Sequence, residues 1–283
     1  MNSTSNDLRG KVAVITGAAS GIGFALALEA ARRGMKVALA DISAEALAKT
    51  KAAVRGLGVD AIGVVTDVRH LDAVKALRAR VVAELGEPWL VINNAGITKI
   101  ALTWDHDEAD WRRMFDINVH GVVNGLLTFL PGLCVAKSGY LVNTASAAGL
   151  LTIPGASAYV ASKHAVVGLS ETLYRELEAS NAGVGVSVLC PALVRTNIMG
   201  TKADGQPVID SDHAMSPEDV AKQVFAAIDA RKFWILTHAM HMAPYIRART
   251  EQVIGQWNPD ATSRDPDVAA TSGKATGVDF SHY

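Results

Sequence analysis

The sequence predicts an α/β protein: a single Rossmann-type doubly wound parallel sheet of about seven strands, with helices on both faces. Three observations predict it. Short runs of β-branched and apolar residues alternate with longer helical patterns from Lys11 to about Gln256. Such alternation favours parallel pairing, because each parallel pair needs a crossover and a helix is the usual one. Runs such as Lys11–Thr16 (KVAVIT) are apolar at almost every position, as strands buried on both faces are. Finally, chemically capable residues recur where a strand pattern stops, at Gly17, Asp41, Asp67, Asn94, Ser146 and Pro191. Ligands of doubly wound sheets sit beyond the carboxyl ends of the strands.

The elements follow in order. Lys11–Thr16 is the first strand, followed by Gly17-Ala18-Ala19-Ser20-Gly21-Ile22-Gly23 and a helix over Phe24–Arg33. Glycines in that place permit a tight turn and close approach of a pyrophosphate, which the helix N-terminus attracts with free N–H groups. Met35–Ala40 is the second strand and ends at Asp41-Ile42. An acidic residue there accepts ribose hydroxyls and repels a 2′-phosphate. Ser43 caps the next helix, Ala44–Leu57, which leaves Asp41 freer for a ligand. Ala61–Thr66 is the third strand, ending in Asp67-Val68, and helix His70–Leu85 follows. Strand Trp89–Ile92 ends in Asn93-Asn94-Ala95-Gly96, a sequence suited both to bracing the sheet and to letting a ligand lie close.

A helical region from Trp104–Asp107 to about Leu133 is interrupted near Asn118 and closed by Pro131-Gly132. Asn118 lies among apolar neighbours, so its amide needs buried partners. Tyr140–Thr144 is the fifth strand; Ser146 follows it, and Pro154-Gly155 turns the chain into a long helix headed by Tyr159. Val184–Leu189 is the sixth strand and leaves through Pro191 to Thr196. Ser216-Pro217 opens a helix to Ala230, Phe233–Thr237 is the seventh strand, and Pro244–Gln256 is the last helix. Residues 1–257 are read as one dinucleotide-binding and catalytic domain with a lid loop at about 195–215. Residues 258–283, rich in Asp, Ser, Thr and Ala, are read as a polar tail.

The totals bound the function. A net charge of −1 and the lack of Lys/Arg runs argue against nucleic acid and anionic membrane as partners. No apolar run is expected to reach the ~18 residues of a membrane span. Met1–Asp7 lacks an apolar segment, and Cys134 and Cys190 match no metal spacing. Buried free thiols, a cytoplasmic location and no metal are therefore expected.

Tyr159 and Lys163 stand four apart on a helix, and so share a face. An ammonium ~4–5 Å from a phenol attracts the phenolate by roughly 3–4 kcal/mol at an effective dielectric of ~20. That is expected to lower the phenol toward the working range of a general acid or base.

Together these residues resemble the short-chain dehydrogenase/reductase family. The likeness covers Leu8 to Thr196 motif by motif: Thr16-Gly17-x-x-x-Gly21-x-Gly23, Asp67, Asn93-Asn94-Ala95-Gly96, and Asn118, Ser146, Tyr159 and Lys163 at the spacing of that family's catalytic tetrad. It implies an oxidoreductase passing hydride between a nicotinamide cofactor and an alcohol or ketone. Tyr159 would exchange the proton, Lys163 would bind the nicotinamide ribose and lower the phenol's pKa, Ser146 would orient the substrate oxygen, and Asn118 would hold a relay water. Cofactor contacts are expected from Gly17, Ser20, Gly21, Ile22, Gly23, Asp41, Ile42, Asp67, Val68, Asn94, Ala95, Gly96, Tyr159, Lys163, Pro191, Val194 and Thr196. Asp41 favours NAD over NADP. Ala147, Ala148, Leu150, Ile153, Leu193, Ile198 and Met199 are read as a pocket for a hydrophobic secondary alcohol or ketone. The rivals are an NADP-dependent carbonyl reductase and a non-enzymatic nucleotide-binding scaffold. The family's usual Pro-Gly is Pro191-Ala192 here, a methyl expected to narrow the pocket. A homodimer or homotetramer is expected, through the helices holding Asn118 and Tyr159.

Overall fold

The computed structural model describes residues 7–200 and 214–259. Most of the expected lid loop, and the expected tail from 260 onward, lie outside the described residues. Seven strands form one parallel sheet: β1 (Val12–Thr16), β2 (Lys36–Asp41), β3 (Ala61–Val65), β4 (Pro88–Asn93), β5 (Gly139–Thr144), β6 (Val184–Cys190) and β7 (Trp234–Leu236). Their spatial order is β3-β2-β1-β4-β5-β6-β7, so the chain winds outward from β1 and then reverses past it to β4. That reversal opens a crevice at the carboxyl ends of β1 and β4.

Side chains of successive strand residues point to opposite faces. Ala13 and Ile15 of β1 therefore join one core with Leu90, Ile92, Tyr140 and Val142. Helices α1 (Gly21–Arg32), α2 (Ala44–Arg55) and α7 (Pro217–Asp229) cover that face with Leu26, Leu47, Val224 and Phe225. Val12, Val14, Val91 and Leu141 point the other way, onto α3 (Leu71–Glu84), α5 (Gly121–Ala136) and α6 (Ser157–Ala179). Two buried layers around one sheet explain the near-continuous apolar runs.

Three helices differ from expectation. The region around Asn118 is α4 (Glu108–Phe115), one π-helical turn (Asp116–His120), and then α5, which runs through Pro131 to Ala136 instead of stopping there. The last helix, α8 (Ala239–Gly255), starts before Pro244 and carries it inside. The first helix begins within the glycine motif, at Gly21. The segment Glu108–Ala136 is also long and apolar enough to cross a membrane, contrary to the expectation that no run reaches that length. It has no Asp, Glu, Lys or Arg from Ile117 to Ala136, and Val122, Leu126, Phe129 and Leu133 are buried on the sheet.

Candidate active site

A cleft of about 830 Å³ opens at the carboxyl edge of the sheet, across the reversal between β1 and β4. One end is built by the turn after β1. Gly17 and Gly21 take positive φ (64° and 52°), which side chains resist. A Cβ on Gly23 would lie 2.0 Å from the Gly17 carbonyl oxygen and 2.7 Å from the Asn94 amide nitrogen. The turn is therefore pulled tight against the start of α1. Ser20, the N-cap of α1, makes no side-chain cap bond, and the first turn holds no acidic residue. Helices α2, α4 and α7 instead carry side-chain caps and acidic first turns. Alone among these four, α1 keeps its N-terminal N–H groups and partial positive charge for an anion.

Asp41 stands where β2 ends, in the same cleft. Its carboxylate accepts the Ala19 N–H at 3.0 Å and the Ser43 N–H at 3.1 Å. It is thus less free than expected, although Ser43 does cap α2 by accepting from the Ala46 N–H. A carboxylate offers about four acceptor sites, so two remain for hydroxyl groups. Asp67 follows β3 and is clamped by Arg69, which holds its carboxyl below the usual carboxylate range. Asn94 does both jobs expected of it. Its amide donates to the Thr16 carbonyl at 3.0 Å, and with Ala95 and Gly96 it lines the cleft. Asn93 serves the sheet alone, donating to Asn143 at 2.9 Å within a buried chain that continues to Ser170.

The other end holds Tyr159 and Lys163, both facing the cleft from the first two turns of α6. The Lys163 ammonium lies 5.6 Å from the centre of the Tyr159 ring, as the four-residue spacing requires, and donates to the Thr144 carbonyl at 3.0 Å. The expected acidification of the phenol is not what the chain's own residues produce. Burial pushes Tyr159 above an ordinary phenol, with a hydrogen bond to Ser146 acting the other way. Burial also lowers Lys163 to about 8. Desolvation dominates both groups, and the amine is turned to the neutral Thr144 carbonyl.

Ser146 sits beside Tyr159 but outside the cleft lining, 8% exposed, and accepts the Ala148 N–H at 3.1 Å. Asn118 is fully buried in the π-helical turn. Such a turn breaks the helical hydrogen-bond ladder and is a recurrent device at functional sites. Its side chain accepts the Ile97 N–H at 2.9 Å and donates to the Ile97 carbonyl and the Ser162 hydroxyl, each at 3.0 Å. The side chain of Asn118 thus fastens the segment after Gly96 to α6, beneath Lys163.

All the expected cofactor residues line this cleft except Val194. Val194 is 4% exposed; its side chain belongs to the core, and its main chain bridges Met215. Of the expected substrate pocket only Ile198 lines the cleft. Ala148 is completely buried, Leu150 packs on the core beneath, and Ala147, Ile153, Leu193 and Met199 lie off the lining. Ala192 is also off the lining, its N–H held by Thr237 at 3.2 Å, so its methyl does not narrow the cleft. Cys190 is a buried thiol as expected, pushed up to about 12 by burial, whereas Cys134 is only half-buried. The sequence reading missed Thr98, Lys99, Asp110, Arg113, Met114 and Ile117 as cleft residues. The last four fall at helical spacing, a signal available in the sequence.

The family model for short chain dehydrogenases matches residues 11–207. The chain belongs to this family. It is 39% identical over 203 residues to the oxidoreductase SadH of Mycobacterium tuberculosis, covering 71% of this chain and 74% of that one. A short-chain dehydrogenase/reductase from Burkholderia phymatum, solved in complex with NAD, superposes with a TM-score of 0.82 at 39% identity, over 92% of this chain and 98% of its own. An alcohol dehydrogenase from Thermococcus sibiricus, complexed with 5-hydroxy-NADP, gives 0.71 at 28% identity, over 80% and 95%. This short-chain dehydrogenase is therefore an oxidoreductase with the Rossmann-type fold of its relatives, and the cleft fits the family's nucleotide. The glycine cradle has no room for side chains, and the helix above it is left uncapped.

Proposed function

We propose that this short-chain dehydrogenase interconverts a secondary alcohol and its ketone with an apolar body, using NAD in preference to NADP. One observation carries the reading. A half-buried phenol and an amine line one end of a cleft, with a serine beside the phenol, and the other end is a phosphate cradle with a carboxylate beside it. The bound nicotinamide nucleotide supplies the hydride chemistry. The uncapped N-terminus of α1 would hold its pyrophosphate, and Asp41 its adenosine ribose, where a 2′-phosphate would meet a second negative charge. Asp67, Val68, Asn94, Ala95, Gly96, Pro191 and Thr196 would complete its bed.

Tyr159 gives or takes the proton at the substrate oxygen. Held neutral by burial, it starts as an acid, which suits reduction of a carbonyl. Ser146 orients that oxygen through its hydroxyl. Lys163 keeps its charge within reach of the phenol and stabilises the phenolate once the proton has left. Asn118 is a positioning residue: it fixes Ile97, and so the wall opposite Tyr159. The protein acts in the cytoplasm as a homodimer or homotetramer joined through α5 and α6.

The test is a panel of secondary alcohols and ketones followed at the NADH absorbance, with NADH and NADPH at equal concentration. Turnover with NADH favoured is expected. Tyr159→Phe should lower kcat by about 10²–10⁴ while NADH still binds. A strong preference for NADPH would overturn the role given to Asp41. Full activity in the Phe variant would overturn the role of the phenol.

A further inference from the structure

We propose that Thr98, Lys99 and Arg113 bind a carboxylate that the substrate carries away from its reacting carbon. The inference rests on the alcohol–ketone reading and narrows its substrate to oxo- and hydroxycarboxylates with an apolar body.

The wall in question starts at the catalytic end. A Cβ on Gly96 would lie 3.4 Å from the Lys163 ammonium, and Lys99 is only three residues further on, within roughly 11 Å at 3.8 Å per residue. Asp110, Arg113, Met114 and Ile117 all line the cleft from one side of the α4 helix and the turn that continues it. Arg113 stands five residues before Asn118 on this wall. Ile97, Met114 and Ile117 give the intervening wall an apolar surface.

The charges on this wall do not balance. Lys99 is paired with Asp110. Asp110 also accepts the Asp107 N–H at 3.3 Å, and the buried His106 ring lies 3.5 Å from the same carboxylate. Asp110 is thereby committed to its neighbours. The Arg113 side chain has no ion pair or hydrogen bond among the described residues, whereas that of the adjacent Arg112 is paired with Glu108. One positive charge on this wall is left facing the cleft. At the nucleotide end the balance is the reverse, since Arg69 is matched by Asp67 and Asp41 has no ion pair among the described residues. Independently, the Thr98 hydroxyl is buried without a hydrogen-bond partner among the described residues. A buried donor left unpaired costs roughly 1–3 kcal/mol; Thr98 lines the cleft, and rotation about its Cα–Cβ bond would bring this hydroxyl, now closed off from solvent, onto a ligand acceptor. A surplus guanidinium, a half-engaged ammonium and an unpaired hydroxyl, with apolar residues between them and the phenol, match a carboxylate at the end of an apolar body.

The test uses the full-length protein with NADH and a graded series of oxo acids, 4-oxopentanoate to 10-oxoundecanoate, each beside its methyl ester. The ester removes the charge and keeps the body. For the best-fitting length, kcat/KM should be at least tenfold higher for the acid. In Lys99→Gln/Arg113→Gln the acid-to-ester ratio should fall to about 1, through the KM of the acid, with the KM for NADH unchanged. Both side chains are exposed, so the variant should fold. Equal turnover of acid and ester by the wild type overturns the proposal. So does a variant whose NADH KM rises while the acid-to-ester ratio stands, for the cations then serve the nucleotide. Calorimetry with the oxo acids gives a readout independent of turnover. Binding lost in the variant supports the carboxylate site even if no ketone is reduced, an outcome that sinks only the alcohol–ketone reading. Equal binding by both proteins overturns the site.

Discussion

At the residue scale, the pairing of Tyr159 with Lys163 was legible from their spacing, but the sign of its electrostatics was not. Spacing along a helix gives proximity; burial depends on everything packed around it, and here burial sets the titration of both groups. For Lys163 the consequence is a stability that depends on pH. Its pKa is about 8 in the folded chain against 10.5 for an ordinary lysine. Between those values the unfolded chain holds the extra proton, so stability rises with pH through that window. Below about 8 the whole cost of burying the ammonium is present. Cys190, raised to about 12 from 9.0, acts in the opposite sense above pH 9, because the unfolded thiol ionises first. Comparing wild type with Lys163→Met in the absence of nucleotide separates the two effects. The melting-temperature difference should move in favour of the wild type between about pH 8 and 10.5. A difference that stays flat over that range would mean that the amine titrates normally in the fold.

At the scale of elements, strands and their ends were legible and proline was misleading. Read locally, proline stops a helix, since it lacks an N–H and clashes with the carbonyl four residues back. In α5 and α8 the carbonyls freed by Pro131 and Pro244 belong to Leu127 and Met240, which are 60% and 93% exposed. That side is open to solvent, which can take up the freed carbonyls, so both helices continue. The cleft wall on α4 escaped notice for a related reason: Met114 and Ile117 follow the same periodicity as core residues. The glycine turn, by contrast, was readable because its chemistry is local. It also makes a sharp forecast. Gly23→Ala places a methyl 2.0 Å from the Gly17 oxygen. Relieving that overlap should cost about 1–3 kcal/mol in stability and weaken NADH binding at least tenfold in a fluorescence titration. Unchanged affinity would show that the turn does not carry the nucleotide.

At the scale of the whole molecule, the doubly wound sheet followed from alternation, continuous apolar runs and the residues at strand ends. The substrate pocket did not, because it depends on which loops meet over the sheet. The apolar faces of α5 and α6 belong to this scale too. Leu127 and Val135 on α5 are 60% and 87% exposed, and Tyr174 on α6 is 36% exposed. Exposed apolar residues on neighbouring long helices suit an interface between copies. If the proposed homo-oligomer forms through this face, Leu127→Glu combined with Val135→Glu should convert it to a smaller species in size-exclusion chromatography with light scattering. An unaltered mass would place the interface elsewhere.

The strand order has a longer-range effect. Because the chain fills one side of β1 before crossing to the other, the groups from Gly17 to Val68 bound one end of the cleft, and those from Asn94 onward supply the phenol, the amine and the far wall. The carboxylate that would select the nucleotide, Asp41, and the wall that would select the carbonyl compound, Lys99 and Arg113, thus lie in separate stretches of the gene. Either choice can drift without rewriting the other, while the bed they share, Asn94 to Gly96, stays fixed.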